Sequence, residues 1–346
     1  MLIIDQIRIS ILETNPKAAL GREAARILHI PPHKIRQLRI RKRSIDARKK
    51  PDIFLLYSVS VEVDGEKTLW RSVRKNRNVR QDNDLRYRIL SRRISFEKRP
   101  VVVGFGPAGM FASYILALSG ANPIVVERGR AAEERKKDVE RFFETGNLLP
   151  ESNVQFGEGG AGTFSDGKLV TQKNDRFGRN RFVLETFHKF GADESVLYDA
   201  KPHIGTDKLV EIVSAMRREI ERLGGTVYFE TRMESLLIEG GCVKGVVLSD
   251  GTTLESDHVL LGIGHSARDT FAQLFSQGVP MQAKPFAVGF RVEHPQERIS
   301  RMQYGKKAAG LLPPAPYKLV VKSERPLYSF CMCPGGFVVN ASSEPG

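Results

Sequence analysis

What the chain lacks narrows its class. Nowhere in its 346 residues does an apolar run approach the roughly 20 needed to span a bilayer, and the start, MLIIDQIRIS, lacks the basic-then-apolar order of an export signal. Three cysteines, Cys242, Cys331 and Cys333, are too few for a disulfide framework, so a reducing cytoplasm is the expected compartment. No His/Cys/Asp group has metal-ligand spacing, and no G-x-S-x-G elbow occurs. Acid is scarce in one place: residues 1–100 hold 11 Asp and Glu against 25 Lys and Arg, and so carry the whole net charge of +14. With 41% hydrophobic and 27% charged residues, the composition is otherwise that of a soluble globular protein long enough for two domains.

The asymmetry of charge predicts a separate basic domain, 1–95, with an anionic partner: nucleic acid, an acidic protein or a cofactor's own phosphates. A solvated basic surface is the competing reading. Residues 1–12 alternate apolar positions as a strand does, with a slip at Asp5-Gln6. Pro16, followed by Ala18, Ala19, Leu20, Ala24, Ala25, Ile27 and Leu28, predicts an amphipathic helix that stops before Pro31-Pro32. Residues 35–45 read as a basic strand, and 54–63 alternate clearly. This βαββ order suits a small α+β, ferredoxin-like sandwich. From 64 to 99 arginines crowd with no aromatic residues at stacking spacing, which predicts a solvated connector with a last strand around 85–90. Nucleic-acid binding through phosphate contacts alone stays open.

Residues 101–128, VVVGFGPAGMFASYILALSGANPIVVER, are the most informative stretch. An apolar run leads into Gly104, Gly106 and Gly109 in G-x-G-x-x-G spacing, then a helical stretch, then a second apolar run ending at Glu127, 18 residues past Gly109. This is a dinucleotide-binding βαβ unit. Gly104 lets the chain turn sharply, Gly106 lets bare backbone approach a pyrophosphate, and Gly109 lets the helix pack closely on the strands. The helix N-terminus faces the phosphates with unpaired N–H groups and its positive dipole end. Glu127 is expected to accept hydrogen bonds from both ribose hydroxyls and to repel a 2′-phosphate, which disfavours NADP. With Pro107-Ala108 inside the glycine frame, GxGPAG resembles the FAD-binding variant of the motif more than the NAD one, so FAD is the leading expected cofactor.

Residues 131–149 read as a highly charged helix. The block GEGGAGTFSDGK then places five glycines between 157 and 167; its accessible amides, with donors from Thr163, Ser165 and Lys168, predict a loop facing a phosphate or a flavin edge. Residues 206–223 form an amphipathic helix closed by Gly224-Gly225. Strand-like segments at 226–230, 235–238, 243–249 and 258–262, with a turn at Asp250-Gly251, predict a crossover β meander inserted in a nucleotide-binding sheet. Residues 259–264 end in small residues where a strand passes under a cofactor.

GEGGAGTFSDGKL at 157–169, GIGHSARD at 262–269, KPFAVGFRVEHPQ at 284–296 and FCMCPGG at 330–336 together resemble the bacterial FAD-dependent dehydrogenases, whose core is similar to glutathione-reductase-type flavoproteins. The resemblance implies an α/β fold: a three-layer, FAD-binding Rossmann-like core over 96–270, with 271–346 starting a second, substrate domain. It implies FAD held by Gly104, Gly106, Pro107, Ala108, Gly109, Glu127 and Arg128, and a flavin-proximal loop of Gly159, Gly160, Ala161, Gly162, Thr163, Ser165 and Lys168. Backbone around Met233 would meet the adenine end, with Gly262, Gly264 and His265 along the dinucleotide. Such families also carry a glycine-rich segment with an acidic residue against the pyrophosphate and ribityl chain; none follows Gly346, so a C-terminally truncated chain is expected.

A flavin itself performs hydride and electron transfer, while protein groups orient substrate and tune the ring. Lys168 is a candidate for stabilising negative charge on reduced flavin. His265, with Ser266, is a candidate donor to substrate or cofactor. Cys331-x-Cys333 offers a dithiol relay, although one intervening residue is not the usual redox spacing, and a structural or flavin-shielding role is preferred. Cys242, beside a glycine turn, is expected to be inert. The expected activity is that of an FAD-dependent oxidoreductase drawing electrons from a reduced small molecule or from NAD(P)H. A flavoprotein acting on RNA through the basic domain and a non-catalytic FAD scaffold are the alternatives.

Overall fold

The structure, a computed structural model, describes residues 1–83, 85–89, 96–164, 167–169, 171, 174–329 and 332–345. Alternation in β1 (Leu2–Ser10) puts Leu2, Ile4, Ile7 and Ile9 into one core, each at most 5% exposed. The slip at Asp5-Gln6 is a bulge: the register against the neighbouring strand shifts between Ile4 and Ile7, and Gln6 takes a left-handed φ of 64°. Helix α1 (Pro16–Leu28) starts where Asn15 Oδ1 accepts the Ala18 N–H at 3.1 Å, and its Leu20, Ala24 and Leu28 face the strands.

β1 joins β2 (Ile35–Asp46), β3 (Phe54–Val63) and β4 (Val79–Gln81) in an antiparallel sheet of order β2-β3-β1-β4. The connector expected from residue 64 onward is corrected at its start. Helix α2 (Glu66–Val73) lays Leu69, Trp70 and Val73 on the same core, β4 follows it, and 85–89 form no strand. One apolar face among charged residues was enough for a short helix, because a ready-made core lay opposite.

The second sheet is parallel, in the order β11-β5-β6-β7, from β5 (Val101–Val103), β6 (Ile124–Val126), β7 (Thr226–Tyr228) and β11 (Val259–Leu261). Its central strands are covered on both faces, so all three valines of β5 are at most 5% exposed. One face carries α3 (Pro107–Leu118) and α6 (Thr206–Arg222), whose Met110, Tyr114, Ile212, Met216 and Ile220 share a core. The other face carries an antiparallel layer of β8 (Met233–Glu239), β9 (Cys242–Leu248) and β10 (Thr253–Glu255), with Met233, Leu236, Val246 and Leu248 on Val101, Val103 and Val126. Of the four strand-like segments read between 226 and 262, the outer two therefore join the parallel sheet and only the middle ones build the insertion.

Residues 280–295 stand exposed, Phe290 fully so. Beyond them α8 (Gln296–Ala308) returns to the first sheet, where Tyr304 and Ala308 pack with Ile53 and Ile45. Among the described residues no helix is long and apolar enough to cross a membrane.

Candidate functional site

A crevice of about 680 Å³ opens at the C-terminal ends of β5, β6 and β11. The chain leaves β5 toward β6 and β7 on one side, and β11 lies on the other, so this is the point where strand order reverses. Close packing there demands glycine. At Gly104 (φ +90°) a Cβ would stand 2.6 Å from the Gly262 carbonyl oxygen, and at Gly109 it would stand 1.9 Å from the Gly104 carbonyl oxygen. Gly106 caps α3 with an ordinary φ of −72°, and its Cβ would sit 3.7 Å from Gly160 Cα, filling the gap between the helix N-terminus and the glycine block. First-turn amides of α3 therefore meet a crevice walled here by the bare backbone of Gly106, Gly160 and Gly162 and by the Pro107 ring, which lies 3.3 and 3.6 Å from where Cβ atoms of Gly160 and Gly162 would stand.

Gly104, Gly106, Pro107, Ala108, Glu127 and Arg128 line the crevice on one side. Gly160, Ala161 and Gly162 close a second side, and Met233, Gly262, Gly264 and His265 a third. Five expected residues, Gly109, Gly159, Thr163, Lys168 and Cys333, do not line it. Gly109 acts from behind, holding α3 against Gly104. Gly159 adopts φ +81°, and its missing Cβ makes room for Thr163 Oγ1, which donates to Glu158 O at 3.3 Å; the Thr163 donor serves the loop instead of facing a ligand. Lys168 lies opposite His203 in a short antiparallel bridge. Cys333 is exposed and away from the crevice. Ser165 and Cys331 lie outside the described residues.

Glu127 differs most from expectation. It is 4% exposed, its Oε2 accepts the Phe105 N–H at 2.7 Å, and its Oε1 accepts the N–H groups of Gly129 and Gly157, both at 2.9 Å. A buried carboxylate collects the donors around it, so this one ties the first glycine turn, the end of β6 and the second glycine block together. Arg128 is likewise occupied. Its guanidinium pairs with Glu151 at 2.7 Å and Asp269 at 3.0 Å and lies 4.2 Å over the Phe156 ring.

Sequence reasoning missed the groups beneath the loop. The helix read as highly charged is α4 (Ala132–Thr145), and its Arg135 is fully buried. The Arg135 guanidinium donates to the carbonyls of Asn153, Val154 and Glu158 at 2.7 to 2.9 Å and lies 4.8 Å over Phe164. Burial pulls its pKa down to about 10. Gly157 (φ +118°) leaves room for this side chain, since a Cβ there would meet Arg135 Cδ at 2.4 Å. Glu158, fully buried, accepts the Ala132 N–H at 2.8 Å and the Arg217 Nε–H at 2.9 Å, and burial raises its pKa. Glycines at 157, 159 and 160 beside a charged helix marked where backbone is bare, but not which charged side chains turn inward to meet it.

Several basic side chains of residues 1–100 are paired within the fold. Arg41, Arg43, Arg48 and Arg80 pair with Asp82, Asp199, Asp46 and Asp5 at 2.6 to 2.9 Å, and nothing supports a nucleic-acid partner. Among the described residues no group of three His, Cys, Asp or Glu is placed to hold a metal ion.

Residues 285–346 match the family described as FAD-dependent protein, C-terminal domain-like, and residues 1–62 match a domain of unknown function. A curated relative, an "uncharacterized protein" of Clostridium beijerinckii, is 45% identical over 338 residues. The alignment covers 94% of this chain and 62% of the relative, so the chain spans less than two thirds of that protein's length. Among solved structures, THI4 of Thermovibrio ammonificans aligns at 17% identity and TM-score 0.36, covering 53% of this chain and 64% of its own. Glycine oxidase of Bacillus cereus aligns at 16% identity and TM-score 0.29, covering 53% and 59%. Overlaps of that extent carry no further conclusion.

Proposed function

We propose that the chain binds FAD in this crevice and forms part of a flavin-dependent oxidoreductase acting on a small molecule. The observation that carries the reading is the glycine-walled crevice at the N-terminus of α3, at the strand-order reversal of a parallel sheet. The match of 285–346 to an FAD-dependent family agrees with it. A Rossmann-type βαβ unit is the corresponding description of β5, α3 and β6, and the βαββαβ succession of the first domain, in the order β2-β3-β1-β4, fits a ferredoxin-like plait.

The bare amides of the first turn of α3 would hold the pyrophosphate. Gly262, Gly264 and His265 would run along the dinucleotide, with Met233 at the adenine end. Glu127 Oε2 has one amide partner, which leaves acceptor capacity for a ribose hydroxyl. When bound, the flavin supplies the hydride and electron chemistry, from a donor such as a reduced metabolite or NAD(P)H. The protein's own part is to present a preformed crevice braced by Arg135, Glu127 and Glu158. Residues 271–346 we assign to a second, substrate-side domain, on the strength of the family match and the strand-like alternation of Phe286, Val288, Phe290 and Val292, each at least 68% exposed.

The test is an absorbance spectrum of the purified protein after loading with FAD and removal of free cofactor, followed by anaerobic titration with reductants. A retained flavin spectrum that bleaches is expected. Failure to retain FAD in equilibrium dialysis overturns the reading.

A further inference from the structure

The first sheet ends at an edge strand, β2, and that edge is not left open. The Arg43 N–H donates to Tyr198 O at 2.7 Å and the Ala200 N–H donates to Arg43 O at 2.8 Å, a one-step parallel bridge between β2 and residues 198–200. The Arg43 side chain repeats the contact: Nε and Nη2 donate to the two Asp199 carboxylate oxygens at 2.6 and 2.8 Å, and the guanidinium lies 5.2 Å over the Tyr198 ring. Paired, two-pronged geometry of this kind fixes orientation as well as distance.

The clasped segment then runs straight to the glycine block. The Leu169 N–H donates to Pro202 O and the Ile204 N–H to Gly167 O, both at 3.0 Å, with Lys168 opposite His203 between them. Gly167 has φ +63°, and a Cβ there would stand 1.7 Å from Ile204 O, so the two segments lie too close for a side chain at 167. Residues 198–204 belong to no helix or extended strand, and these two short bridges fall at either end of them.

We propose that Arg43 is a positioning residue through which the basic domain sets the placement of 167–169, and with it the flank of the glycine block whose Gly160 and Gly162 line the crevice. Its bearing on cofactor binding rests on the reading of the crevice as an FAD site; the mechanical claim does not.

Hydrogen–deuterium exchange on the intact chain tests it. Arg43→Ala should speed exchange of the Leu169 and Ile204 amides about tenfold, because local opening is set by the contacts that close the segment. Exchange in β5 and α1 should be unchanged. Arg43→Lys, which keeps the charge but not the two-pronged bond, should fall between, and Asp199→Asn should match Arg43→Ala while altering the first domain least. If the proposed function also holds, FAD affinity and the absorbance band shape of bound flavin should follow the same ranking. Unchanged exchange at Leu169 and Ile204 in both Arg43→Ala and Asp199→Asn overturns the proposal, as does acceleration spread evenly over the molecule. A chain that never binds FAD leaves the exchange result decisive.

Discussion

The two four-stranded sheets solve opposite problems. In the antiparallel sheet the strands run 9, 12, 10 and 3 residues, alternate visibly, and bury one row of side chains beneath two helices. In the parallel sheet every strand has 3 residues, and specificity comes from where backbone touches backbone, at Gly104, Gly109 and Gly262. Both sheets bury apolar side chains, the second on two faces; what the second adds is close backbone contact at the strand ends and buried charged groups that brace the loops. A ligand site fits the second arrangement, because amides left bare are available to a ligand.

That contrast can be broken by mutation. Arg135→Met leaves the Asn153 and Val154 carbonyls without the Arg135 donor, takes one of two donors from the Glu158 carbonyl and removes the positive charge between Glu127 and Glu158, and should cost about 3–5 kcal/mol in urea unfolding. Leu20→Ala, which removes buried volume from the first sheet, should cost about 3 kcal/mol and leave FAD retention intact once the protein is folded. Gly106→Ala sharpens the distinction. Its Cβ meets nothing closer than 3.7 Å, so stability should change by less than about 1 kcal/mol, whereas FAD affinity measured by dialysis should fall at least about tenfold as the cradle fills.

Acid titration should separate the regions by sign. Asp46, held by Arg48 in the first domain, has its pKa lowered to about 2, so its contribution is present above the ordinary carboxylate value and is lost as pH falls toward about 2. Glu158 is raised by burial, so its contribution is full below the ordinary carboxylate range and declines as pH rises through its folded value. Relative to Glu158→Gln, the parent protein should lose stability with rising pH. In Arg48→Ala the NMR titration of Asp46 should move back up toward 3.8, with a stability change too small to resolve by denaturation.

Much of this was legible before any coordinates. The slip at Asp5-Gln6 marked a bulge because a period-2 pattern cannot absorb an extra residue otherwise. The G-x-G-x-x-G frame marked the crevice because only glycine tolerates those close approaches. Three things were hidden. Helix α2 and strand β4 lay among arginines that read as solvent. Arg135 and Glu158 looked like surface charges, since nothing local announces that a charge will be buried. The bracing role of Glu127 was hidden too, because its three amide partners come from turns at residues 105, 129 and 157, the last of them 30 positions away.

Strand alternation in the first domain, the ends of α1 and the places where backbone must be bare followed from local sequence, since periodicity and glycine sterics act over a few residues. Which charged side chains turn inward, and that the β2 edge pairs with residues 198–200, were decided only by tertiary structure. Those partners are distant in the chain, and burial energies depend on what the fold brings near.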